Sequence, residues 1–245
     1  LPGVAVGTEG MTGLYVRGGG ADENLYLLDG NPVYHVNHLL GFFSAFNPDA
    51  IKNTRFYKGS FPAEYGGRLS SVVDVRMNDG NRQEYHGNIS VGLLSARANL
   101  EGPIVKDRSS FNVSVRRTWL DLITGTALAI INKNSDTKES FGYHFFDINA
   151  KVNHSFSERS RAYLSFYMGQ DAFRQGSKEK HEDSDDMFLW RWGNLIGSAG
   201  WNYVFGQKLF GNLMVGYSRF RSHIRQEAKG YEIEGNRAER QSIKR

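Results

Sequence analysis

Two histidines in the segment Tyr34-His35-Val36-Asn37-His38 are the first side chains whose type and spacing could do chemistry. A spacing of three residues would put both imidazoles on one face of a helix, where they could bind a metal ion. Zinc normally takes three or four protein ligands, and no cysteine or carboxylate nearby completes the set. We therefore predict no metal site, and we interpret both histidines as structural or substrate-contacting.

An acidic tract, His181-Glu182-Asp183-Ser184-Asp185-Asp186, offers oxygen ligands of the kind that Ca²⁺ prefers. The tract lacks the spaced acidic positions and the central glycine of a dedicated calcium loop. We interpret it as part of a solvated loop rather than as a cation site.

Three consecutive glycines, Gly18-Gly19-Gly20, follow Arg17 and raise the question of phosphate binding. A glycine-rich phosphate loop comes after a strand and opens a long helix, whose N-terminus faces the phosphate. Here the glycines lead into Ala-Asp-Glu-Asn and another apolar strand pattern. The sequence therefore favours a tight backbone turn, with Arg17 pointing away from it.

The sequence contains no catalytic constellation. The G-x-S-x-G and H-E-x-x-H motifs are absent, and the chain has no cysteine that could act as a nucleophile or form a disulfide. Nothing points to the paired carboxylates of a glycosidase. We therefore predict neither enzymatic activity nor a cofactor.

Composition restricts the class of protein further. The chain has 245 residues, of which 40% are apolar, and its net charge of +4 comes from 30 basic and 26 acidic residues. No basic block resembles a nucleic-acid footprint, so we expect no nucleic-acid partner. No apolar run reaches the roughly 18 residues of a transmembrane helix. The chain begins at Leu-Pro-Gly-Val without a signal peptide, and we expect it to be an internal fragment of a longer protein.

Residues 1–80 are dense in turn signals and predict a small α+β domain with short elements. Asp29-Gly30-Asn31-Pro32 is a strong turn, because glycine tolerates positive φ and proline fixes the exit. Asn47-Pro48-Asp49 could open a short helix, with Asp49 placed to help cap it. Residues 54–57 and 70–77 are predicted to form strands.

From Tyr85 onward, in residues 81–245, apolar and polar residues alternate with period two, which indicates a train of about seven antiparallel strands. The clearest segments carry apolar residues at these alternate positions: Ile89, Val91 and Leu93; Phe111, Val113 and Val115; Phe146, Ile148, Ala150 and Val152; Ala162, Leu164, Phe166 and Met168; Leu195, Ala199, Trp201 and Tyr203; Leu213, Val215 and Tyr217. A membrane β-barrel has this pattern, and so does a soluble β-sandwich.

Loop lengths favour the barrel. Short connections at residues 102–110, 157–161 and 206–208 alternate with long polar ones at 119–143 and 175–187, and the Leu94–Ser95 hairpin is the one short member of the second set. Short turns on one rim and long loops on the other are typical of a barrel with a periplasmic and an external side. Aromatic residues near the predicted strand ends fit the interfacial girdles of such a barrel: Trp119, Trp190, Trp192, Trp201 and Tyr203.

The ordered set of motifs resembles the TonB-dependent outer-membrane receptors, in the form found in Bacteroidetes-type bacteria. The matching motifs are Pro2-Gly3-Val4, Val16-Arg17-Gly18-Gly19, Leu27-Leu28-Asp29-Gly30-Asn31-Pro32, Ile51 with Phe56-Tyr57-Lys58-Gly59, Tyr65-Gly66-Gly67, Val72-Val73-Asp74-Val75, and Leu100-Glu101-Gly102-Pro103-Ile104. The resemblance implies a plug folded inside a barrel of roughly 22 strands, of which this chain would hold the plug and the first strands.

The resemblance also implies a function, a location and partners. We expect a receptor of the Gram-negative outer membrane that takes up a scarce, bulky solute such as a siderophore, cobalamin, glycan or peptide. Implied partners are TonB with its inner-membrane energising complex, the extracellular solute, outer-membrane lipids and, in some members, a surface lipoprotein. Arg17 and Lys58 match plug positions where the family places cations against barrel carboxylates.

The same interpretation nominates solute-facing residues in the plug. We predict that Tyr34, His35, His38, Phe42 and Phe43 contact the solute, because aromatic rings stack on sugars or siderophore rings and histidines supply polar contacts. Burial of the phenylalanines in a core is the competing interpretation. Two other functions stay open: a signalling or adhesive receptor without transport, and a soluble all-β hydrolase whose sheet is buried on both faces.

Overall fold

The computed structural model describes residues 3–6, 13–179, 185–234 and 237–244, with side chains for all of these except Leu40 and residues 228–244. The first part of the chain is an N-terminal domain of eight short strands: β1 (Val4–Val6), β2 (Leu14–Val16), β3 (Asn24–Leu28), β4 (Asn31–Pro32), β5 (Asn37–His38), β6 (Phe43–Ser44), β7 (Ile51–Tyr57) and β8 (Ser71–Met77). Single 3₁₀ turns lie at Ala21–Glu23, Leu39–Gly41 and Pro48–Ala50.

The second part is one long antiparallel sheet with a single α-helix among the described residues. Its elements are β9 (His86–Val91), β10 (Ser95–Val105), β11 (Ser109–Thr118), α1 (Leu120–Ile131), a 3₁₀ turn at Asn132–Asn134, β12 (Thr137–Ser157), β13 (Ser160–Glu179), β14 (Asp185–Val204), β15 (Phe210–Glu234) and β16 (Arg237–Lys244). No helix in the described ranges is long and apolar enough to cross a membrane.

A four-stranded sheet in the order β4-β3-β8-β7 forms the centre of the N-terminal domain. Strands β3 and β8 run parallel, while β7 and β4 pair antiparallel at the two edges. Leu28, Val75 and Met77 from the central strands are each no more than 2% exposed. Burying these side chains supplies the apolar core that this glycine-rich domain needs.

The predicted turn at residues 29–32 is confirmed. Asp29 and Gly30 form the two-residue connection between β3 and β4, with φ values of 46° and 85°. Positive φ at both positions is the geometry of a type I′ hairpin turn, which favours the sequence Asp-Gly.

The predicted short helix after Asn47 is confirmed as a 3₁₀ turn, but its cap differs from the expectation. The side-chain oxygen of Asn47, not that of Asp49, accepts a hydrogen bond from the Asp49 backbone N–H at 3.3 Å. The Asp49 carboxylate instead lies 2.9 Å from Nε of Arg97 in β10. Proline at the first helical position fixes this arrangement, since Asn47 is then the residue that precedes the turn.

The eight-stranded sheet follows chain order, β9 to β16, with every neighbouring pair antiparallel. All of the seven predicted strands are present, and a short eighth strand, β16, was not predicted. The sheet is open, with β9 and β16 at its edges.

Two of the predicted long loops are shorter than expected. The segment 119–143 contains α1 and the first residues of β12. The segment 175–187 is mostly strand, because β13 continues to Glu179 and β14 begins at Asp185. Cross-strand pairing continues through polar residues as long as both chains keep strand geometry.

The eight-stranded sheet buries a polar face and exposes an apolar one, which is the reverse of a sheet in a soluble protein. On the face that meets the N-terminal domain, Asn112, Asn149 and Asn153 are no more than 1% exposed. On the other face, Leu164 and Val215 are each 64% exposed. Within the described residues no second sheet covers this apolar face. The soluble all-β alternative required burial of both faces, and the structure contradicts it.

Candidate functional site

His38 is held between two carboxylates of the eight-stranded sheet. Its Nδ1 lies 2.7 Å from Oδ2 of Asp171 in β13, and its Nε2 lies 2.9 Å from Oδ1 of Asp147 in β12. The imidazole stacks on Phe145 with ring centroids 4.1 Å apart and an angle of 5° between the planes. Only 3% of His38 is exposed. The residue therefore joins the N-terminal domain to two adjacent strands at once.

The two carboxylates are tied into a wider network. Asp147 Oδ2 accepts a hydrogen bond of 2.8 Å from Nε of Arg116, and the same guanidinium donates to the Ser44 carbonyl at 2.6 Å. Asp171 accepts a hydrogen bond from the Tyr143 hydroxyl. The Tyr143 oxygen accepts in turn from the Leu39 N–H at 2.6 Å. Backbone groups of Leu39 and Ser44, which both follow His38, are thus hydrogen-bonded to the sheet.

The local electrostatics keep His38 charged. Burial alone lowers the pKa of His38, but its hydrogen bonds to Asp147 and Asp171 and the charges of these carboxylates raise the pKa to about 9. At neutral pH the cluster therefore contains two cations, His38 and Arg116, and two anions, Asp147 and Asp171. Balanced charges and hydrogen bonds are what a buried ion cluster needs in order to be tolerated.

Gly169 makes room for this cluster. It lies opposite Asp147 in the pairing of β12 with β13. A Cβ atom at this position would lie 2.8 Å from Asp147 Oδ1 and would also collide with the hydroxyl of Tyr167. The Tyr167 hydroxyl donates to the same Asp147 oxygen at 3.2 Å. The absence of a side chain at Gly169 therefore allows the approach of Tyr167 to Asp147.

A second charged cluster lies near the linker of residues 78–85, between β8 and β9. Lys151 Nζ in β12 lies 3.1 Å from Oδ1 of Asp79 and 3.3 Å from Oδ2 of Asp29. Asp79 also pairs with Arg161 at 2.9 Å and with Lys52 at 2.7 Å. Burial raises the pKa of Asp79, but Lys52, Lys151 and Arg161 outweigh burial and lower it well below its usual value.

The Asp29–Gly30 turn rests on β14 and β15. The Asn31 side-chain amide donates to the Ser198 hydroxyl, and the Ser218 hydroxyl donates to the Pro32 carbonyl at 2.5 Å. Gly216 lies directly beneath Asn31, where any Cβ atom would overlap the Asn31 amide. The predicted turn is therefore also a docking element.

Several buried polar atoms at the contact between domain and sheet have no hydrogen-bond partner within the described part of the chain. They include Nδ2 of Asn149, Nε1 of Trp192 and Oδ1 of Asn194. Polar groups of this kind are usually satisfied by water at wet interfaces. The contact therefore combines incompletely paired polar groups with an apolar cluster that joins Leu28 and Met77 to Tyr167 and Ile196.

Beyond His38 the inward face of the sheet becomes aromatic. The pairing of β12 to β15 places Tyr143, Phe173, Trp190 and Ile224 in one row across four strands. Phe141 and Phe188 lie next to this row and contact Phe173, with ring centroids 5.5 Å and 6.1 Å away. We call Phe141, Tyr143, Phe173, Phe188 and Trp190 the aromatic row.

The predicted solute-contacting residues are distributed along this end of the N-terminal domain. Tyr34 is 59% exposed and Phe42 is 82% exposed. His35 is half-buried, with its ring centroid 6.1 Å from that of Trp192, and burial lowers its pKa. Phe43 packs against Phe145 at 5.4 Å between ring centroids. His38 is buried in the network, so in this structure it is a contact between domain and sheet; solute contact by these residues stays a prediction.

The predicted contact residues Arg17 and Lys58 lie elsewhere. Arg17 has a φ of 50° and is exposed, and its guanidinium lies against Gly59 of the same domain. Lys58 is half-buried in the same loop. Contact of these two cations with barrel carboxylates stays a prediction.

The carboxylates and cations that hold the domain in place were missed from the sequence: Arg116, Asp147, Lys151, Asp171 and Asp79. The available signal was the presence of charges at the polar positions of strands, as at Asp147 and Lys151, which alternate with Ile148 and Ala150. A charge on the inward face needs a partner. Only the three-dimensional structure shows that the partner of Asp147 is His38.

The other chemical motifs form no site within the described ranges. No group of three or more histidine, cysteine, aspartate or glutamate side chains there could hold a metal ion. Residues 181–184 of the acidic tract lie outside the described residues. Gly18-Gly19-Gly20 leads into the three-residue 3₁₀ turn Ala21–Glu23, which is not the long helix of a phosphate loop.

A globular α+β domain that docks on the polar face of a sheet, while the apolar face stays exposed, is the arrangement expected of a plug on the inner wall of an outer-membrane β-barrel. The family model described as "TonB-dependent Receptor Plug Domain" matches residues 1–73. The N-terminal domain is therefore a TonB-dependent receptor plug domain, and we call it the plug. The predicted fold, an α+β plug followed by the first part of an antiparallel all-β barrel, is confirmed.

Solved structures also resemble the chain at low identity. A mutant of the ferric enterobactin receptor PfeA from Pseudomonas aeruginosa is 15% identical, with a TM-score of 0.48 over 100% of this chain and 50% of that one. The siderophore receptor PirA from the same organism is 16% identical, with a TM-score of 0.43 over 94% of this chain and 49% of that one. The chain thus spans about half the length of these receptors. No curated protein matches it.

The family match agrees with two further predictions. TonB-dependent receptors are outer-membrane proteins, which is the predicted location, and they are receptors rather than enzymes. The match does not distinguish the Bacteroidetes-type subgroup from the rest of the family.

Proposed function

We propose that the chain is part of an outer-membrane receptor that takes up a bulky solute by TonB-coupled transport. In this proposal TonB and its inner-membrane energising complex act on the plug, and an extracellular solute binds on the opposite side. Residues 1–80 are the plug, and residues 81–245 are the first part of the barrel. Outer-membrane lipids surround the apolar face, and a surface lipoprotein is a further partner to test.

The observation that carries the proposal is the chemistry of the contact between plug and sheet. A permanently fixed plug would be most stable with a packed apolar interface, as in a protein core. This plug is attached only in part by such packing, which joins Leu28 and Met77 to Tyr167 and Ile196. The rest of the contact consists of ion pairs and hydrogen bonds, with His38 and Asp29 at its centre. Water can replace these polar contacts one by one, which suits a plug that stays docked at rest and moves under force.

The solute-facing side is the end of the plug that carries Tyr34, His35 and Phe42. Of these, His35 contacts Trp192, whose ring centroid lies 4.1 Å from that of Trp190 in the aromatic row, and the row offers stacking surface along the inner wall. Flat or ring-containing solutes bind well to such surfaces, because aromatic and sugar rings stack on them. Siderophores, cobalamin, glycans and aromatic peptides all fit this description, so an uptake experiment is needed to identify the solute class.

Uptake assays on the full-length gene product test the proposal. Wild-type cells, cells lacking the gene and cells lacking TonB are supplied with ferric siderophores, cobalamin, labelled oligosaccharides or labelled peptides. We expect one solute class to enter wild-type cells alone, with the protein in the outer-membrane fraction. A solute that binds the protein, but enters cells lacking TonB as fast as wild-type cells, would contradict TonB-coupled transport. That result would support the signalling or adhesive alternative.

A further inference from the structure

The outward face of the eight-stranded sheet carries cations directly beyond its apolar residues. Along β15, the outward positions run from Leu213, Val215 and Tyr217 to Arg219 and then to further basic residues. Lipid-facing positions of a barrel are apolar within the hydrocarbon and become polar at the headgroups. The change of residue type at Arg219 therefore marks one boundary of the membrane.

Basic residues from three adjacent strands meet beyond this boundary. In the pairing of β14 with β15, Arg191 lies opposite His223, Gly193 opposite Arg221, and Leu195 opposite Arg219. Arg174 in β13 pairs with Leu189, two residues from Arg191. All of these basic side chains are exposed. We define the outer basic patch as Arg174, Arg191, Arg219, Arg221 and His223.

The arginines of the outer basic patch have no acidic partner among the described residues. No carboxylate there lies within ion-pair distance of Arg174, Arg191, Arg219 or Arg221, whereas the neighbouring Arg117 and Arg225 pair with Asp121 and Glu227. Four guanidinium groups on one face, none of them ion-paired within the described residues, form a site for an anion.

Helix α1 lies beside the patch on the same outward face. It packs over β12, where His144 Nδ1 lies 3.5 Å from Asp121 Oδ2. Between the helix and the sheet is a groove of about 570 Å³, whose lining includes Leu128, Arg174 and Arg191 as well as the acidic residues Asp121 and Glu139. The helix exposes Leu122 at 62%, Ile130 at 72% and Ile131 at 65%. A short helix with exposed apolar residues beside cations is typical of an interfacial helix that lies in the headgroup region.

The patch lies on the rim that faces away from the cell. Helix α1 follows β11 on this rim, and β13 ends and β14 begins there, while the short connections at residues 106–108, 158–159 and 205–209 lie on the other. Short turns mark the periplasmic side of an outer-membrane barrel. The cations therefore lie at the level of the outer leaflet's headgroups.

We propose that the outer basic patch binds the phosphate groups of an anionic lipid of the outer leaflet. The acyl chains lie along the apolar rows that include Leu195 and Met168, and the apolar side chains of α1 enter the same leaflet. Arginine suits this task because its planar guanidinium donates two parallel hydrogen bonds to a phosphate. The inference rests on the proposed membrane insertion but is independent of which solute is carried.

Binding of phosphorylated lipid to the full-length protein in detergent micelles tests the site. The probe is a fluorescent bisphosphorylated lipid A, and the comparison ligand is the same lipid without its phosphates. The test variant is R191Q/R221Q, and the matched control R159Q/K208Q removes two exposed cations from the short-turn rim. We expect at least a tenfold loss of affinity for the phosphorylated lipid in the test variant and none in the control. The R191K/R221K variant, which keeps the charge, should restore part of the binding.

Two results would overturn the proposal. One is equal binding of the phosphorylated and dephosphorylated lipids by the wild-type protein. The other is displacement of the lipid by heparin at an equal concentration of charge, which would assign the patch to a soluble polyanion. Solute uptake separates this test from the proposed function, since R191Q/R221Q should retain TonB-dependent uptake. A wild-type protein without TonB-dependent uptake would contradict the proposed transport and leave the lipid result standing.

Discussion

Nε2 of His38 and Oδ1 of Asp147, 109 residues apart in the sequence, lie 2.9 Å from each other. With the matching contact to Asp171, a single imidazolium of the plug joins two adjacent strands of the inner wall. Because the ring can lose its proton, the strength of the attachment depends on pH.

The docking of the plug should weaken at alkaline pH. Docking raises the pKa of His38 from 6.5 to about 9. The resulting stabilisation, about 3 kcal/mol, is fully present below pH 6.5 and is lost as the pH rises through 9. Hydrogen exchange of plug amides in the full-length protein between pH 6 and 10 measures this directly. In the His38→Gln variant the protection factors, which correct for base-catalysed intrinsic exchange, should depend much less on pH, and an unchanged profile would contradict the assignment.

Removal of the charge at Asp147 should destabilise the plug strongly. In Asp147→Asn, Arg116 loses its carboxylate partner and His38 keeps only Asp171, and loss of one member of a buried cluster costs about 3 to 5 kcal/mol. The control Asp121→Asn breaks a half-exposed pair with Arg117, for which we expect less than about 1 kcal/mol. Denaturant unfolding of the two purified variants gives the comparison. Equal midpoints for the two variants would rule out a dominant role of the cluster.

Gly216 should tolerate no side chain. In Gly216→Ala, the added Cβ atom overlaps the Asn31 amide and displaces the Asp29–Gly30 turn, at a cost of about 1 to 3 kcal/mol. Gly197→Ala is the matched control, because a Cβ atom there meets no atom within 4 Å. Thermal melting of the two variants distinguishes them, with a lower midpoint expected for Gly216→Ala alone.

Truncation of Phe42 should reduce solute binding without loss of stability. Phe42 is 82% exposed, so Phe42→Ala removes few contacts within the protein, yet it removes a stacking surface worth about tenfold in affinity. Phe156→Ala is the control, since Phe156 is 63% exposed near the short-turn rim. Titration with the solute identified by uptake checks both. If Phe42→Ala binds the solute with the same affinity as Phe156→Ala, Phe42 is not part of the solute site.

Local sequence patterns were sufficient for the fold. Alternation of apolar and polar residues depends on neighbours in the chain, so Val113 and Val115 could be assigned to one face and Asn112 and Ser114 to the other. The turn at Asp29–Gly30 was equally local, because its backbone geometry demands particular residue types. The position of α1 was not predictable, since its exposed Ile130 and Ile131 contradict the pattern of a soluble helix.

The site depended on information that the sequence does not carry. His38 attracted a metal interpretation by its spacing from His35, but its partners Asp147 and Asp171 come from strands more than a hundred residues away. Charges within a strand, such as Lys151, are indistinguishable from surface charges until the inward face is known to be covered. Long-range pairing therefore decided the role of each titratable group.

The length of the hairpins has a consequence for what the cell presents to its surroundings. Strand β15 has 25 residues, and at about 3.4 Å per residue it is far longer than a bilayer-crossing strand of about 10 residues. In the proposed barrel, the ends of the hairpins on the rim of helix α1 would therefore extend beyond the outer leaflet as hydrogen-bonded strands. Antibodies or phage tail fibres that approach the cell would meet these strands before they meet the lipid.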